Sequence, residues 1–319
     1  MHYEAGPAKS RAARTTTGTD FWRCPVCSDT RSTPVFNNAT DATESGVDGA
    51  AFRPSSNEFG HLVAPALRCF GCGHVSVDGA PKHDAIADAY AHSSDPVSLR
   101  EEPGQIQTAR RGLARIEAIR SARGRLLDVG CWTGSFLVAA SERGWEAEGI
   151  EPSRWAATRA SDRGMKVRVG ELDDVDLPAD SFDAVVCCDV LEHLVDPGAA
   201  LERLGKILRA DGVLYVTVPD AGSVLARLLG HRWWAVLPMH LQYFTRSSMR
   251  QLLTRHRFDV RSIENHPKVF SARYYAERFA SFVPVVGPLV VRAVSSSSRA
   301  DQLIAPDFRD RFEVVAVKR

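Results

Sequence analysis

Three groups of side chains in this 319-residue sequence have the types and spacing to do chemistry. The first is a set of thiols. Cys24-Pro-Val-Cys27 and Cys69-Phe-Gly-Cys72 are two C-x-x-C pairs. Each pair sets two thiolates on one tight turn, and two such turns complete a tetrahedral zinc site with no position open for catalysis. Cys24, Cys27, Cys69 and Cys72 are therefore expected to hold a structural zinc. A redox role is disfavoured, because neither pair heads a helix after a strand. His74 is a spare ligand that four sulfurs do not need. The second group is LLDVGCWTGSF, residues 126–136, where an apolar run passes into a helical pattern. Glycine there lets the backbone approach a ligand closely. Glu151 follows Gly130 by 21 residues and ends the next apolar run. A carboxylate at that point can accept hydrogen bonds from both hydroxyls of a ribose.

The third group follows the apolar run FDAVVCCD at 182–189. His193 titrates near neutrality and could take a proton from an acceptor hydroxyl, or it could orient the loop. Asp189 could orient His193, line a nucleoside pocket or cap a helix. Glu192 reads as structural. His240 and Tyr243 could face an acceptor, but packing at a helix start is the preferred reading. Trp233 and Trp234 could line a pocket or cover the core, and aromatic pairs more often pack.

These groups can meet only if the intervening elements bring them to one edge. Strands are expected at 125–129, 145–151, 166–169, 182–189, 212–219, 258–264 and 312–318. Helices are expected at 136–143, 154–163, 199–209 and 247–257. The run at 182–189 is apolar on both faces, as a central parallel strand should be. The alternation predicts an α/β fold with a doubly wound, mostly parallel seven-stranded sheet and right-handed crossovers. Such sheets bind ligands at their carboxyl ends. Upstream, 1–20 reads as a disordered arm and 21–78 as a zinc-ribbon module with a loop at 37–60. Residues 79–122 read as linker and helix, with Ile106, Leu113, Ile116 and Ile119 on one face. The main domain then spans 123–319, with an insertion at 266–307.

This series of motifs resembles the class I S-adenosylmethionine-dependent methyltransferases. Asp128, Gly130 and Gly134 match their D-x-G-x-G-x-G loop. Trp132 stands where that family has a glycine, so its indole must turn from the cofactor or cover it. The resemblance covers roughly 120–319. Glu151-Pro152-Ser153 looks like the ribose-binding segment, and Gly170-Glu171-Leu172 lies where the family contacts adenine. Leu191-Glu192-His193 is similar to its L-E-H signature, and HLQYFT at 240–245 to a recurring block of one subgroup. The resemblance implies a Rossmann-like fold with S-adenosylmethionine as cofactor. Around it would lie Asp128, Gly130, Trp132, Gly134, Glu151, Glu171, Leu172 and Asp189. It also implies in-line displacement at the methyl group, where positioning supplies much of the acceleration. A base, for which His193 is the candidate, matters only where the acceptor loses a proton. A cysteine ribbon joined to this domain resembles glycan and secondary-metabolite enzymes. The expected acceptor is thus a saccharide or other small molecule.

Other readings compete. A NAD- or nucleotide-sugar-dependent oxidoreductase would share Glu151 but wants G-x-G-x-x-G, a spacing the loop lacks. A non-catalytic zinc-ribbon binding protein is the third. The net charge of +1 gives no basic surface, so no nucleic-acid partner is expected. Residues 1–20 have no apolar signal core, and the apolar stretch 279–294 is broken by Pro284, Gly287, Pro288 and Arg292. A cytoplasmic chain without a spanning helix is the expectation. Tyr274, Tyr275, Phe279, Phe282, Val285 and Val286 make the insertion apolar. A substrate lid, a dimer surface or a peripheral membrane contact through 273–294 would each use it. A cap folded on the domain is preferred.

Overall fold

The computed structural model describes residues 22–36, 59–79, 88–283 and 285–319. The arm expected at 1–20, most of the loop expected at 37–60 and part of the linker lie outside the described residues. In chain order come β1 (Ser32–Phe36), β2 (Ala66–Cys69), β3 (Val75–Val77), a 3-10 helix Pro96–Glu101 and α1 (Glu102–Ile119). Next are β4 (Arg125–Val129), α2 (Ser135–Glu142), β5 (Glu146–Glu151), α3 (Arg154–Asp162), β6 (Lys166–Val169) and β7 (Phe182–Cys188). A 3-10 turn Leu191–His193 leads to α4 (Pro197–Ile207), β8 (Leu208–Pro219), α5 (Val224–Leu229), β9 (Gln242–Tyr243) and α6 (Arg246–Arg255). The chain continues with β10 (Phe258–Asn265), β11 (Phe270–Ser271), α7 (Ala272–Phe282), α8 (Gly287–Ser295), β12 (Leu303–Ile304) and β13 (Arg311–Lys318).

Seven strands form the main sheet in the order β6-β5-β4-β7-β8-β13-β10. β13 is antiparallel to β8 and to β10, and the other six strands run one way. The expected mostly parallel, doubly wound sheet is what forms. Its central strands are apolar on both faces because helices cover both. Val185 and Cys187 of β7 pack with Leu204, Met249 and Leu252 from α4 and α6. Ala184 and Val186 point the other way, to Leu113, Ile116 and Phe136 from α1 and α2. Alternate side chains of one strand thus feed two cores.

One expected boundary is off by more than two residues, the start of β8. The helix expected to run to residue 209 ends at Ile207, and β8 begins at Leu208, not at 212. Asp211 takes φ +59°. The left-handed residue makes a bulge inside a strand whose pairing with β7 already starts at Leu208↔Phe182.

The cysteine segment is built into the same body. β1, β2 and β3 form an antiparallel sheet whose fourth strand is β9, the Gln242-Tyr243 of the HLQYFT block. Leu62, Val75 and Val77 share a core with Trp233, Val236, Leu241 and Tyr243. Cys24, Val26 and Cys69 pack into the core that holds Phe244 and Leu252. Gln242 is the stitch: its Oε1 lies 2.9 Å from His74 Nε2, and its Nε2 donates to the Leu194 carbonyl at 3.0 Å.

The insertion pairs β11 with β12 and folds α7 against α8. The helices approach so closely at Gly287 that a Cβ there would lie 2.4 Å from Ala280 Cα. Its outer surface shows Val285 at 85% and Leu289 at 67% exposure. Among the described residues, no helix is long and apolar enough to cross a membrane.

Candidate active site

The turn after β4 is fixed by φ and by β5. Gly130 sits at φ +70°, and its Cβ would meet Val190 Cγ2 at 2.7 Å, so only glycine fits. The amides of Gly130 and Cys131 both donate to the Ile150 carbonyl, at 2.8 and 3.1 Å. Trp132 takes φ +47°, the conformation that makes glycine usual at this place. Its indole N–H donates to Ser98 Oγ at 3.2 Å, and its ring lies 5.7 Å from that of Trp155. The indole therefore leans on the 3-10 helix before α1 and forms a wall. Gly134, φ +81°, starts α2, where a Cβ would come within 3.0 Å of Ala160 Cβ. It lets α2 pack on α3.

Glu151 ends β5 beside this turn. Its Oε2 accepts from the Trp132 amide and its Oε1 from the Ser153 amide, each at 2.8 Å. A carboxylate has about four acceptor positions, so two remain for hydroxyl donors. Burial raises its pKa to about 7, against the pull of the two amides. Asp128 is also buried; desolvation, with the Glu151 charge added, holds it well above the carboxylate range.

A cavity of about 1020 Å³ opens at the carboxyl ends of β4, β5 and β7. Asp128, Gly130, Trp132, Glu151, Glu171, Leu172, Asp189 and His193 all line it; Gly134 does not, and acts through the turn alone. The insertion closes another side with Phe270, Tyr274, Phe279 and Phe282. Gly130 and Glu151, the two positions on which a nucleoside site depends, share this one space. These residues fit an adenosyl nucleoside: a close backbone turn, an acceptor carboxylate beside it and an apolar wall.

Asp189 departs from two of its expected roles. Its carboxylate pairs with Lys268 and Arg311 and accepts from Thr217 Oγ1 at 3.3 Å, so it does not orient His193. Nor is it a helix cap, since Val190 precedes the 3-10 turn without a capping bond. His193 Nδ1 instead lies 3.1 Å from the Met239 carbonyl and 2.6 Å from the Tyr90 hydroxyl. The tautomer that donates Nδ1–H to the Met239 carbonyl keeps a lone pair on Nε2, whereas a proton given by Tyr90 to Nδ1 belongs to the other tautomer. Burial lowers the pKa of His193 to about 4 and raises that of Glu192 to about 8. His240, expected to pack, is buried but lines the same cavity, its ring 4.7 Å from that of His193. Tyr90, Lys268 and Arg311 escaped the sequence reading. Each comes from a segment without a motif, and only the tertiary fold places it on the cavity wall.

The four cysteines converge elsewhere. Cys24 Sγ lies 3.5 Å from Cys72 Sγ, and Cys27 Sγ 3.4 Å from Cys69 Sγ. All four sulfurs are within 4.8 Å of one another. Zinc–sulfur bonds of about 2.3 Å give a tetrahedron with edges near 3.8 Å, so the set fits zinc. The Gly71 amide points at Cys69 Sγ at 3.3 Å, as a knuckle turn requires. His74 is directed at Gln242 and stands outside this group.

Residues 102–263, half of the chain, match the profile of a methyltransferase domain family. The chain belongs to that family, the class I S-adenosylmethionine-dependent methyltransferases. Among curated proteins it is similar to the ubiquinone biosynthesis O-methyltransferase of Alkalilimnicola ehrlichii, 34% identical over 117 residues, covering 33% of this chain and 47% of the relative. It is also similar to the nocamycin O-methyltransferase of Saccharothrix syringae, 36% identical over 126 residues, covering 36% of this chain and 43% of the relative. The chain thus spans less than half the length of these curated relatives. Among solved structures, magnesium protoporphyrin IX methyltransferase from Synechocystis aligns at 16% identity and a TM-score of 0.46, covering 71% of this chain and 89% of that one.

Proposed function

We propose that this chain transfers the methyl group of S-adenosylmethionine to an oxygen of a small-molecule or saccharide acceptor. The observation that carries this reading is the shared cavity: the turn at Gly130, the carboxylate of Glu151 and the imidazole of His193 line one space. S-adenosylmethionine supplies an electrophilic methyl on sulfur. Glu151 receives the ribose hydroxyls, with Gly130 and Trp132 against the nucleoside and Glu171 and Leu172 beside its base. The aromatic wall of Trp234, Tyr274 and Phe282 suits an acceptor with a flat or apolar face, a sugar ring included. His193 activates the acceptor oxygen. The O–C bond forms as the S–C bond breaks, S-adenosylhomocysteine leaves as the neutral thioether, and the hydroxyl proton passes to the imidazole of His193. Cys24, Cys27, Cys69 and Cys72 hold a structural zinc in the module at 21–78, and 123–319 forms the catalytic domain. The two named curated relatives are O-methyltransferases, which favours oxygen over nitrogen or carbon.

Calorimetry with S-adenosylmethionine and S-adenosylhomocysteine tests the reading. Both should bind the wild-type chain, and Glu151→Gln should weaken both roughly tenfold or more, the worth of a hydrogen bond to a charged acceptor. Unchanged affinity would remove Glu151 from the ribose site. No binding to the wild type would end the methyltransferase reading.

A further inference from the structure

We propose that Glu192, His193 and His240 form a binding site for a divalent transition-metal cation on the cavity wall, separate from the four-cysteine site. Glu192 supplies the first observation. It is 1% exposed, and neither carboxylate oxygen has a hydrogen-bond partner. Buried polar side chains are nearly always paired, so a carboxylate aimed into a cavity without a donor marks the place of a missing group. The second observation is convergence. One ligand atom from each of Glu192, His193 and His240 lies within 4.8 Å of the other two.

The imidazoles are set to accept, not to donate. His193 Nδ1 is 3.1 Å from the Met239 carbonyl, and His240 Nδ1 is 2.7 Å from the Ala235 carbonyl. With the Nδ1 proton on each carbonyl, and the Tyr90 hydroxyl beside His193 Nδ1 at 2.6 Å accepting, not donating, Nε2 of each ring keeps a lone pair. A backbone carbonyl behind the far nitrogen is how proteins orient metal-ligating histidines. In that tautomer the cluster offers a cation two ring-nitrogen lone pairs and a carboxylate. The arrangement is stiff, because the Leu241 amide donates to the Glu192 carbonyl oxygen at 2.8 Å and binds the two segments together. Lys268 and Arg311 hydrogen-bond Asp189, not Glu192, although the charge of Lys268 is felt at Glu192 and at both imidazoles.

Two imidazoles and a carboxylate suit zinc, iron(II), manganese or cobalt better than magnesium, which prefers an all-oxygen shell. Three protein ligands leave positions open for an incoming oxygen. On the methyl-transfer reading, on which this step rests, that oxygen is the acceptor's. A cation held there would lower the pKa of the bound hydroxyl so that its proton passes to water, and His193 would activate the acceptor oxygen as a ligand of that cation in place of taking the proton itself.

The test uses the full chain with zinc in its cysteine site, titrated with cobalt(II). One further equivalent should bind, with visible d–d absorption and without the thiolate-to-cobalt charge-transfer band that sulfur ligands produce. Glu192→Gln and His240→Ala should each weaken cobalt about tenfold or more. Both should keep wild-type affinity for S-adenosylhomocysteine, which reports an intact fold. Absence of the extra equivalent, or equal binding by Glu192→Gln, overturns the proposal and leaves Glu192 a protonated carboxyl. Cobalt binding without S-adenosylhomocysteine binding would instead keep the metal site and sink the methyltransferase reading.

Discussion

At the scale of single residues, the positions proposed to hold the nucleoside were legible because their spacing is local. Gly130, Glu151 and the four cysteines announce themselves by spacing along the chain, and the structure puts the first two on one cavity and the thiols in one cluster. Gly130→Ala should cost at least about 1–2 kcal/mol, from the left-handed φ alone, before the contact with Val190 is counted. Chemical denaturation would measure it, and loss of S-adenosylhomocysteine binding should accompany it. Glu151 makes a pH prediction. Its folded pKa, near 7, lies above its ordinary 4.5. Between these values the folded state keeps a proton that the unfolded state has released, so stability falls as pH rises through the window. Asp128 is the buried carboxyl whose own shift it reinforces. Glu151→Gln removes the effect. The stability of wild type minus variant should therefore drop between about pH 5 and pH 7, and a flat difference would contradict the burial of Glu151. The convergence of Glu192 with the two histidines was not legible. Glu192 read as structural, and packing was preferred for His240 over facing an acceptor, because nothing in the sequence shows that residues 192 and 240 are stitched by the Leu241 amide.

At the scale of elements, the main sheet was readable strand by strand, since each central strand is a continuous apolar run between turn signals. β8 was misjudged at its start because an Asp-Gly pair looks like an end and here makes a bulge. β9 was missed for another reason. Two residues carry no period, and their partner β3 lies far back in the sequence, so only the folded chain reveals the pairing Val75↔Tyr243. Gln242 ties this junction together with polar contacts on both sides. Gln242→Ala removes the contacts with His74, Leu194 and Val195. Leaving those buried groups unpaired should cost about 2 kcal/mol or more, seen as a shifted denaturant midpoint with an unchanged slope. A cost within a few tenths of a kcal/mol would mean that water replaces the amide.

At the scale of the whole molecule, the cysteine module and the catalytic domain share their cores, which composition alone could not foretell. On the proposed zinc assignment of the four cysteines, removal of the metal should therefore be felt throughout. A strong chelator should lower the single calorimetric transition of the full chain by many degrees. A separate early transition with the main peak unmoved would show that the module melts alone. Neither Leu62, Val75 and Val77 nor Cys24, Val26 and Cys69 have an apolar cluster of their own, so the cooperative outcome is expected.

The four-residue stretch from His240 to Tyr243 gives one side chain to the cavity and one strand to the ribbon. Anyone building chimeras from this chain and its relatives inherits that arrangement. A foreign ribbon spliced on without its matching 240–243 segment would leave a bare strand edge and an unanchored imidazole. The natural crossover points therefore lie on either side of both pieces, which must travel together although 160 or so residues of sequence lie between them.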